Sequence, residues 1–284
     1  MLHPYEALRQ ENATLLSSAQ ILPSIRPVAL ATAKRLLTSR ARYETIFGLT
    51  TVKVIPCACI HERECDANFA CALCNGERII GTGRKTTLVP RGEGPWATFE
   101  AGAERAFQID GLDKVAAMAE GWTFERAVYE WELYNGFGPR DHGKHSGYPW
   151  AGTNVYNGGK YVADGVWNPR AWDTQLGCVT VALAIEELAP DLALPRALPI
   201  VGAPSIVPAP QPVPDGHGHP DMTTKQLQAN LNALHVEPHL LVDGSYGRLT
   251  VLAVKAFQQS AGITVDGLAG PETRDAIVKA LVTV

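Results

Sequence analysis

The residues best suited to do chemistry in this chain stand together at Ile60-His61-Glu62-Arg63-Glu64-Cys65-Asp66-Ala67-Asn68-Phe69. Two carboxylates, a histidine and an arginine fill the four residues after an apolar run, Thr51 to Ile60, and the stretch closes on an aromatic. On a helix, His61 and Glu64 are three apart and share a face. Glu62 falls on another side. Glu64 comes one turn after Ile60, on the stripe expected to face a core. Poor solvation there favours the protonated acid. A protonated carboxylic acid is what glycoside cleavage requires, because the leaving oxygen must receive a proton as its bond breaks. Glu64 is therefore the expected catalytic residue. For a second carboxylate or a water-positioning group the candidates are Glu77, Glu93, Glu100 and Asp164.

A second stretch has the composition of a binding surface. Tyr134-Asn135-Gly136-Phe137-Gly138 should end a helix on glycines. His142, His145, Tyr148, Trp150, Tyr156, Tyr161 and Trp167 then follow among glycines and asparagines. Aromatic faces stack on sugar rings, and amides meet their hydroxyls. Aromatics and amides gathered in a loop without an apolar period suit a ligand. The expected substrate contacts are Tyr134, Asn135, Gly136, Trp150, Tyr156, Tyr161 and Asp164.

Five of the six cysteines (Cys57, Cys59, Cys65, Cys71 and Cys74) crowd into one segment, with Cys178 apart. A structural zinc site needs two well-separated pairs, or pairs completed by histidine. Cys57 and Cys59 lie on opposite sides of a helix, and the chain has no His-Glu-x-x-His motif. Buried free thiols are expected, with no metal and no cofactor.

The elements that must position these residues read as mainly helical. Helices are expected over Tyr5 to Ala19, Arg26 to Ile46, the run ending at Glu64, Phe99 to Phe107 capped by Thr98, Phe124 to Tyr134 capped by Thr123, and Trp172 to Leu188. Ile79 to Pro95 reads as a short hairpin or an extended loop. Between Pro190 and Pro220 stand nine prolines and few charges, the composition of a linker. The C-terminal segment then repeats itself. Val242-Asp243-Gly244-Ser245-Tyr246-Gly247-Arg248-Leu249-Thr250 matches Val265-Asp266-Gly267-Leu268-Ala269-Gly270-Pro271-Glu272-Thr273 at an offset of 23 residues. Two such copies can pack as a three-helix unit around Leu227, Leu231, Leu234, Phe257 and Leu281.

The chain has 284 residues, 46% hydrophobic and 19% charged, with a net charge of −4. That suits one large domain and one small one. No basic excess points to nucleic acid. Met1 to Asn12 is polar, so no Sec signal peptide is expected. The most apolar early run, Ile21 to Leu37, is interrupted by Pro23, Arg26, Pro27, Lys34 and Arg35, so no stable membrane insertion is expected.

Two resemblances follow from these motifs. Thr223 to Val284 closely resembles the small three-helix peptidoglycan-binding domain. The match runs through Leu227-Gln228-x-x-Leu231, Val242-Asp243-Gly244-x-x-Gly247-x-x-Thr250, Ala253-Val254-x-x-Phe257-Gln258 and Val265-Asp266-Gly267-x-x-Gly270-x-x-Thr273. The resemblance implies binding of bacterial peptidoglycan without catalysis, through Asp243, Tyr246, Arg248 and Gln258. Residues from about 50 to 185 resemble a lysozyme-like muramidase family found among phage endolysins. The matching pieces are Ile60-His61-x-Arg63-Glu64-x-x-x-Asn68-Phe69, Asn75-Gly76, Trp96-x-x-Phe99-Glu100, Tyr134-Asn135-Gly136-x-Gly138, and Trp150-x-Gly152-Thr153-x-x-Tyr156-x-x-Gly159-Lys160-Tyr161-Val162-x-Asp164-Gly165. This resemblance implies Glu64 as catalytic acid and the Tyr134-Asn135-Gly136 loop as a lining of the sugar cleft. Cys65 departs from the serine common at that position in lysozyme-like folds.

The expected fold is thus mainly α. A lysozyme-like α+β catalytic domain covers 1–189, with its first 48 residues helical and unmatched. A proline-rich linker covers 190–220, and a three-helix binding domain 221–284. The expected protein is a monomeric endolysin that hydrolyses the MurNAc-GlcNAc bond. It stays in the host cytoplasm until a holin gives it access to the periplasm and cell wall. Alternatives are a lytic transglycosylase using the same Glu64, a zinc amidase or peptidase, and a non-catalytic wall-binding protein.

Overall fold

Helix α4 (Val54–Cys65) is the element around which the N-terminal domain is built, with ten of its twelve residues buried. A helix enclosed on nearly all sides must be covered by several others. The computed structural model describes residues 3–163, 166–196, 222–240, 242, 244, 246, 248–265, 267 and 269–283. The helices are α1 (Tyr5–Ser18), α2 (Arg26–Leu37), α3 (Arg40–Thr50), α4, α5 (Phe99–Asp110), α6 (Phe124–Asn135), the short α7 (Gly138–Asp141) and α8 (Gly147–Trp150), then α9 (Cys178–Leu188). Helices α3, α6 and α9 pack on α4, α2 packs along α9, and α1 lies on α6. The first 48 residues are therefore part of this domain: Ala29, Ala33, Leu36, Tyr43 and Ile46 all enter the same core as α4.

The chain is mainly α, as its periodicity predicts. The caps at Thr98 and Thr123 also form: each hydroxyl accepts the backbone N–H three residues on, at 3.3 and 3.2 Å. Three expectations change. Arg26 to Ile46 is two helices, because Thr38 turns its hydroxyl onto the Arg35 carbonyl at 2.6 Å and competes with the helix ladder. Trp172 to Gly177 is irregular, and α9 starts only at Cys178. The aromatic loop after α8 contains a two-stranded antiparallel hairpin, β1 (Lys160–Ala163) and β2 (Val166–Asn168). Residues 79–95 form a loop without strands.

The proline-rich segment begins with a packed stretch. Pro190–Leu192 makes a 3₁₀ turn, the Phe124 N–H donates to the Pro195 carbonyl at 2.8 Å, and Leu194 is buried. Arg196 pairs with Glu186 at 2.7 Å. Residues 197–221 lie outside the described residues.

Beyond them, α10 (Thr224–Ala233), α11 (Arg248–Ala261) and α12 (Pro271–Thr283) enclose a separate core of Leu227, Leu231, Leu240, Ala253, Val254, Phe257 and Ile277. The opposite side of α11 meets α6, where Val251 fits among Tyr5, Leu8, Tyr129, Leu133 and Phe137. Lys255 donates to the Asp110 carbonyl at the end of α5, where a cation suits the exposed carbonyl charge.

Candidate functional site

Glu64 stands on the last turn of α4, half-buried. The helix stops immediately afterwards, because Asp66 and Ala67 adopt left-handed φ values of 50° and 52°. The Tyr148 hydroxyl donates to Glu64 Oε1 at 2.9 Å. Tyr148 belongs to α8, and its backbone N–H donates to the buried Ser146 hydroxyl at 3.3 Å. Burial, with the Glu64 charge added, pushes the Tyr148 phenol well above its usual value. Tyr148 therefore keeps its proton and acts as the donor.

Arg63 and Tyr134 fix the Tyr148 ring. The Arg63 guanidinium lies 4.6 Å from the ring centre, and the Tyr134 ring is 6.3 Å away. Arg63 is itself buried against Asp173 at 3.0 Å and donates to the Gln175 and Leu176 carbonyls, each at 3.3 Å. Burial works against the guanidinium charge, but Asp173 together with the neighbouring Cys178 and Tyr148 outweighs it, and Arg63 ends above its usual value. Burial likewise pushes Asp173 upward, and Arg63 and Lys160 outweigh it, so the carboxylate stays ionised. Glu64 is thus held by a neutral phenol that rests on a buried ion pair.

The other α4 side chains serve the core. Glu62 faces away from Glu64, as its spacing predicts, and accepts both 2.7 and 2.8 Å bonds from one Arg35 nitrogen. Burial outweighs the Arg35 charge and raises the Glu62 pKa. His61 is fully buried between the Tyr43, Phe69 and Phe99 rings, with Nδ1 2.9 Å from the Tyr43 hydroxyl. Burial, aided by the charges of Arg42 and Arg35, lowers its pKa to about 4. The unfolded chain binds this proton near pH 6.5, whereas folded His61 refuses it until about pH 4. The stability that neutral His61 contributes is complete above pH 6.5 and is lost as pH falls toward 4. The expected loss is ~3 kcal/mol. Comparing urea unfolding of the wild type and His61→Phe between pH 7 and 4 isolates it. Parallel curves for the two proteins contradict this account.

Three of the expected partners of Glu64 are engaged with other groups. Glu77 accepts from the Thr87 and Leu88 N–H groups and from the Thr87 hydroxyl at 2.6 Å, pinning the 86–88 loop. Glu93 pairs with Arg105 at 2.8 Å and Glu100 with Arg42 at 2.6 Å. These contacts hold Glu93 and Glu100 below the usual carboxylate range. Asp164 lies outside the described residues.

The expected sugar contacts divide. Tyr134 is buried and donates to the Leu73 carbonyl at 3.0 Å, supporting the site from behind. Asn135 is exposed at the end of α6, and Gly136 turns the chain at φ 100°, a value that favours glycine. Trp150 is fully buried, so its ring offers no free face. Tyr156 is buried, donating to the Gly159 carbonyl and accepting the Asp173 N–H. Tyr161 is half-buried beside His142 and Trp167. Tyr148 and Asp173 were not singled out as site residues from the sequence. Their signal, a tyrosine and an aspartate near a buried arginine, exists only in three dimensions.

All six cysteines are free and buried. Cys65 is buried in the core, with Sγ 3.9 Å from the Ala72 carbonyl. Among the described residues, no group of three or more His, Cys, Asp or Glu side chains is placed to hold a metal. No single described helix is long and apolar enough to cross a membrane. The bent pair α3 and α4 passes by composition, but turns by 111° and has α4 in the core. A groove of about 1000 Å³ runs between α5, α6 and α11, away from Glu64. Two of the charges lining it, Arg105 and Arg126, are paired with Glu93 and Glu130.

In the C-terminal unit, the two repeats are bracketed alike. Gln228 accepts the Gly244 N–H at 2.8 Å and donates to the Thr250 hydroxyl at 3.2 Å. Gln258 does the same to Gly267 at 2.8 Å and Thr273 at 2.9 Å. Residues 223–277 match the family model of a peptidoglycan binding domain. The C-terminal unit is a peptidoglycan-binding domain. No curated protein and no solved structure matches the chain. Within the peptidoglycan-binding domain, Gln258 is buried and braces a loop, where the resemblance implied a wall contact. Tyr246 joins the two loops, donating to the Gly267 carbonyl and accepting the Ala269 N–H. Asp243 and the Arg248 side chain lie outside the described residues.

Proposed function

We propose that the chain is a peptidoglycan-degrading muramidase of the endolysin type, with a lysozyme-like N-terminal domain and Glu64 as its general acid. The observation that carries this reading is Glu64 itself. It is a half-buried carboxyl at the end of a core helix, held by the Tyr148 phenol, in a chain that also carries a peptidoglycan-binding domain. Glu64 gives its proton to the glycosidic oxygen as the bond from it to the MurNAc anomeric carbon breaks, water adds to that carbon, and the proton the water sheds returns through solvent to Glu64. Tyr148, which stays protonated, stabilises the carboxylate left behind. The C-terminal domain holds the enzyme on the wall and raises its effective concentration there. In this reading a holin releases the protein from the host cytoplasm to the wall.

Digestion of purified sacculi followed by mass spectrometry tests the reaction. Reducing muramic acid ends are expected. 1,6-Anhydro ends identify a transglycosylase, and free stem peptides an amidase. A chain truncated after residue 196 should lose sacculus binding and keep most of its rate on soluble glycan fragments. An equal loss on both substrates removes the tether from the account.

A further inference from the structure

We propose that Trp172 is a carbohydrate-stacking platform that binds an N-acetylhexosamine ring of the glycan strand on the approach to Glu64. All six tryptophans lie among the described residues, and their surroundings differ sharply. Trp122, Trp131 and Trp150 are buried. Trp96 packs on Gly94 and Gly102. Trp167 is sandwiched between Gly159 and the His142 ring, stacked at 4.2 Å. Trp172 is 58% exposed.

The Trp172 ring is open to solvent yet held. It rests on Gly158, where an added Cβ would lie 3.1 Å from the indole, and Gly158 has a φ of 74°. The positive φ favours glycine, and a side chain there would press on the ring. Tyr156 meets the indole nearly at right angles, with centroids 5.1 Å apart. The Asp173 N–H donates to the Tyr156 hydroxyl at 3.0 Å, which fixes the backbone just after the tryptophan. An aromatic held in place before its ligand arrives loses little entropy on binding.

Its neighbours select the ligand. Asn168, Arg170, Thr174 and Gln175 on either side are exposed and polar. A protein interface centres on a broader apolar patch. A single aromatic face among hydrogen-bonding groups suits a sugar, whose C–H face stacks while its hydroxyls and acetamido group find polar partners. The platform is also tied to the site. Asp173 follows it in sequence and pairs with Arg63 at 3.0 Å, Arg63 covers Tyr148, and Tyr148 bonds to Glu64. A strand stacked on Trp172 is thereby registered against the acid.

This inference rests on the muramidase reading, and the test separates the two. Oligomers of N-acetylglucosamine are titrated into the full chain carrying Glu64→Gln, with and without Trp172→Ala, and binding is read by calorimetry. Steady-state rates on solubilised glycan are measured for the wild type, Trp172→Ala and Trp172→Tyr. Trp172→Ala should weaken binding and raise KM by about five- to tenfold with kcat unchanged, the usual worth of one aromatic stack. Trp172→Tyr should recover most of the loss, and melting temperatures should not move. Active wild type with an unaltered KM in Trp172→Ala overturns the platform alone. Wild type that neither binds nor cleaves glycan overturns the muramidase reading and the platform with it.

Discussion

If Glu64 is the general acid proposed above, Glu64→Gln is expected to leave a folded protein that still binds walls and to cut lysis by about 10²-fold or more. The glutamine keeps the size and the hydrogen bond from Tyr148, which needs only an acceptor. It removes the transferable proton, without which the glycosidic oxygen leaves as a poor alkoxide. Glu62→Gln is the control. Glu62 is held by Arg35 on another side of α4, so its loss weakens the fold and spares the chemistry. Tyr148→Phe is expected to fall between the two: the carboxyl remains, but it loses the Tyr148 donor, so the rate drops by less than in Glu64→Gln. Turbidity of permeabilised cells and circular dichroism at one protein concentration distinguish these cases. An active Glu64→Gln with an inactive, folded Glu62→Gln places the cleft on the other side of α4.

Arg63→Ala is expected to lower the free energy of unfolding by about 3 kcal/mol. Arg63 and Asp173 have side-chain exposures of 6% and 10%, so their attraction is little screened. Removing the guanidinium strands the Asp173 carboxylate with Lys160 at 3.3 Å as its remaining ionic partner. The Gln175 and Leu176 carbonyls lose a donor as well. The pair also supports Tyr148 from above, so kcat falls together with stability. For a domain of this size the melting temperature should drop by roughly 6–12 °C. Adding Asp173→Asn to Arg63→Ala removes the stranded charge and should return part of the stability. A loss under about 1 kcal/mol with no recovery in the double variant contradicts a structural role for the pair.

Local sequence determined the helical elements, the caps and the C-terminal repeat. Thr98 and Thr123 cap their helices through bonds spanning three residues, and such interactions are written in adjacent side chains. The separation of Glu62 from Glu64 follows from helical geometry alone. Tertiary structure decided which aromatics face outward. Trp150 and Tyr156 stand in a polar, glycine-rich segment and Trp172 opens the helix expected after it, and nothing in the sequence marks Trp150 as buried and Trp172 as exposed. That difference arises because α8 packs into the angle between α6 and α9, while Trp172 precedes α9 on an irregular stretch over Gly158. The same holds for Arg63. Its partner lies 110 residues away, and only the approach of α4 to the segment before α9 brings the guanidinium, Tyr148 and Asp173 together around the acid.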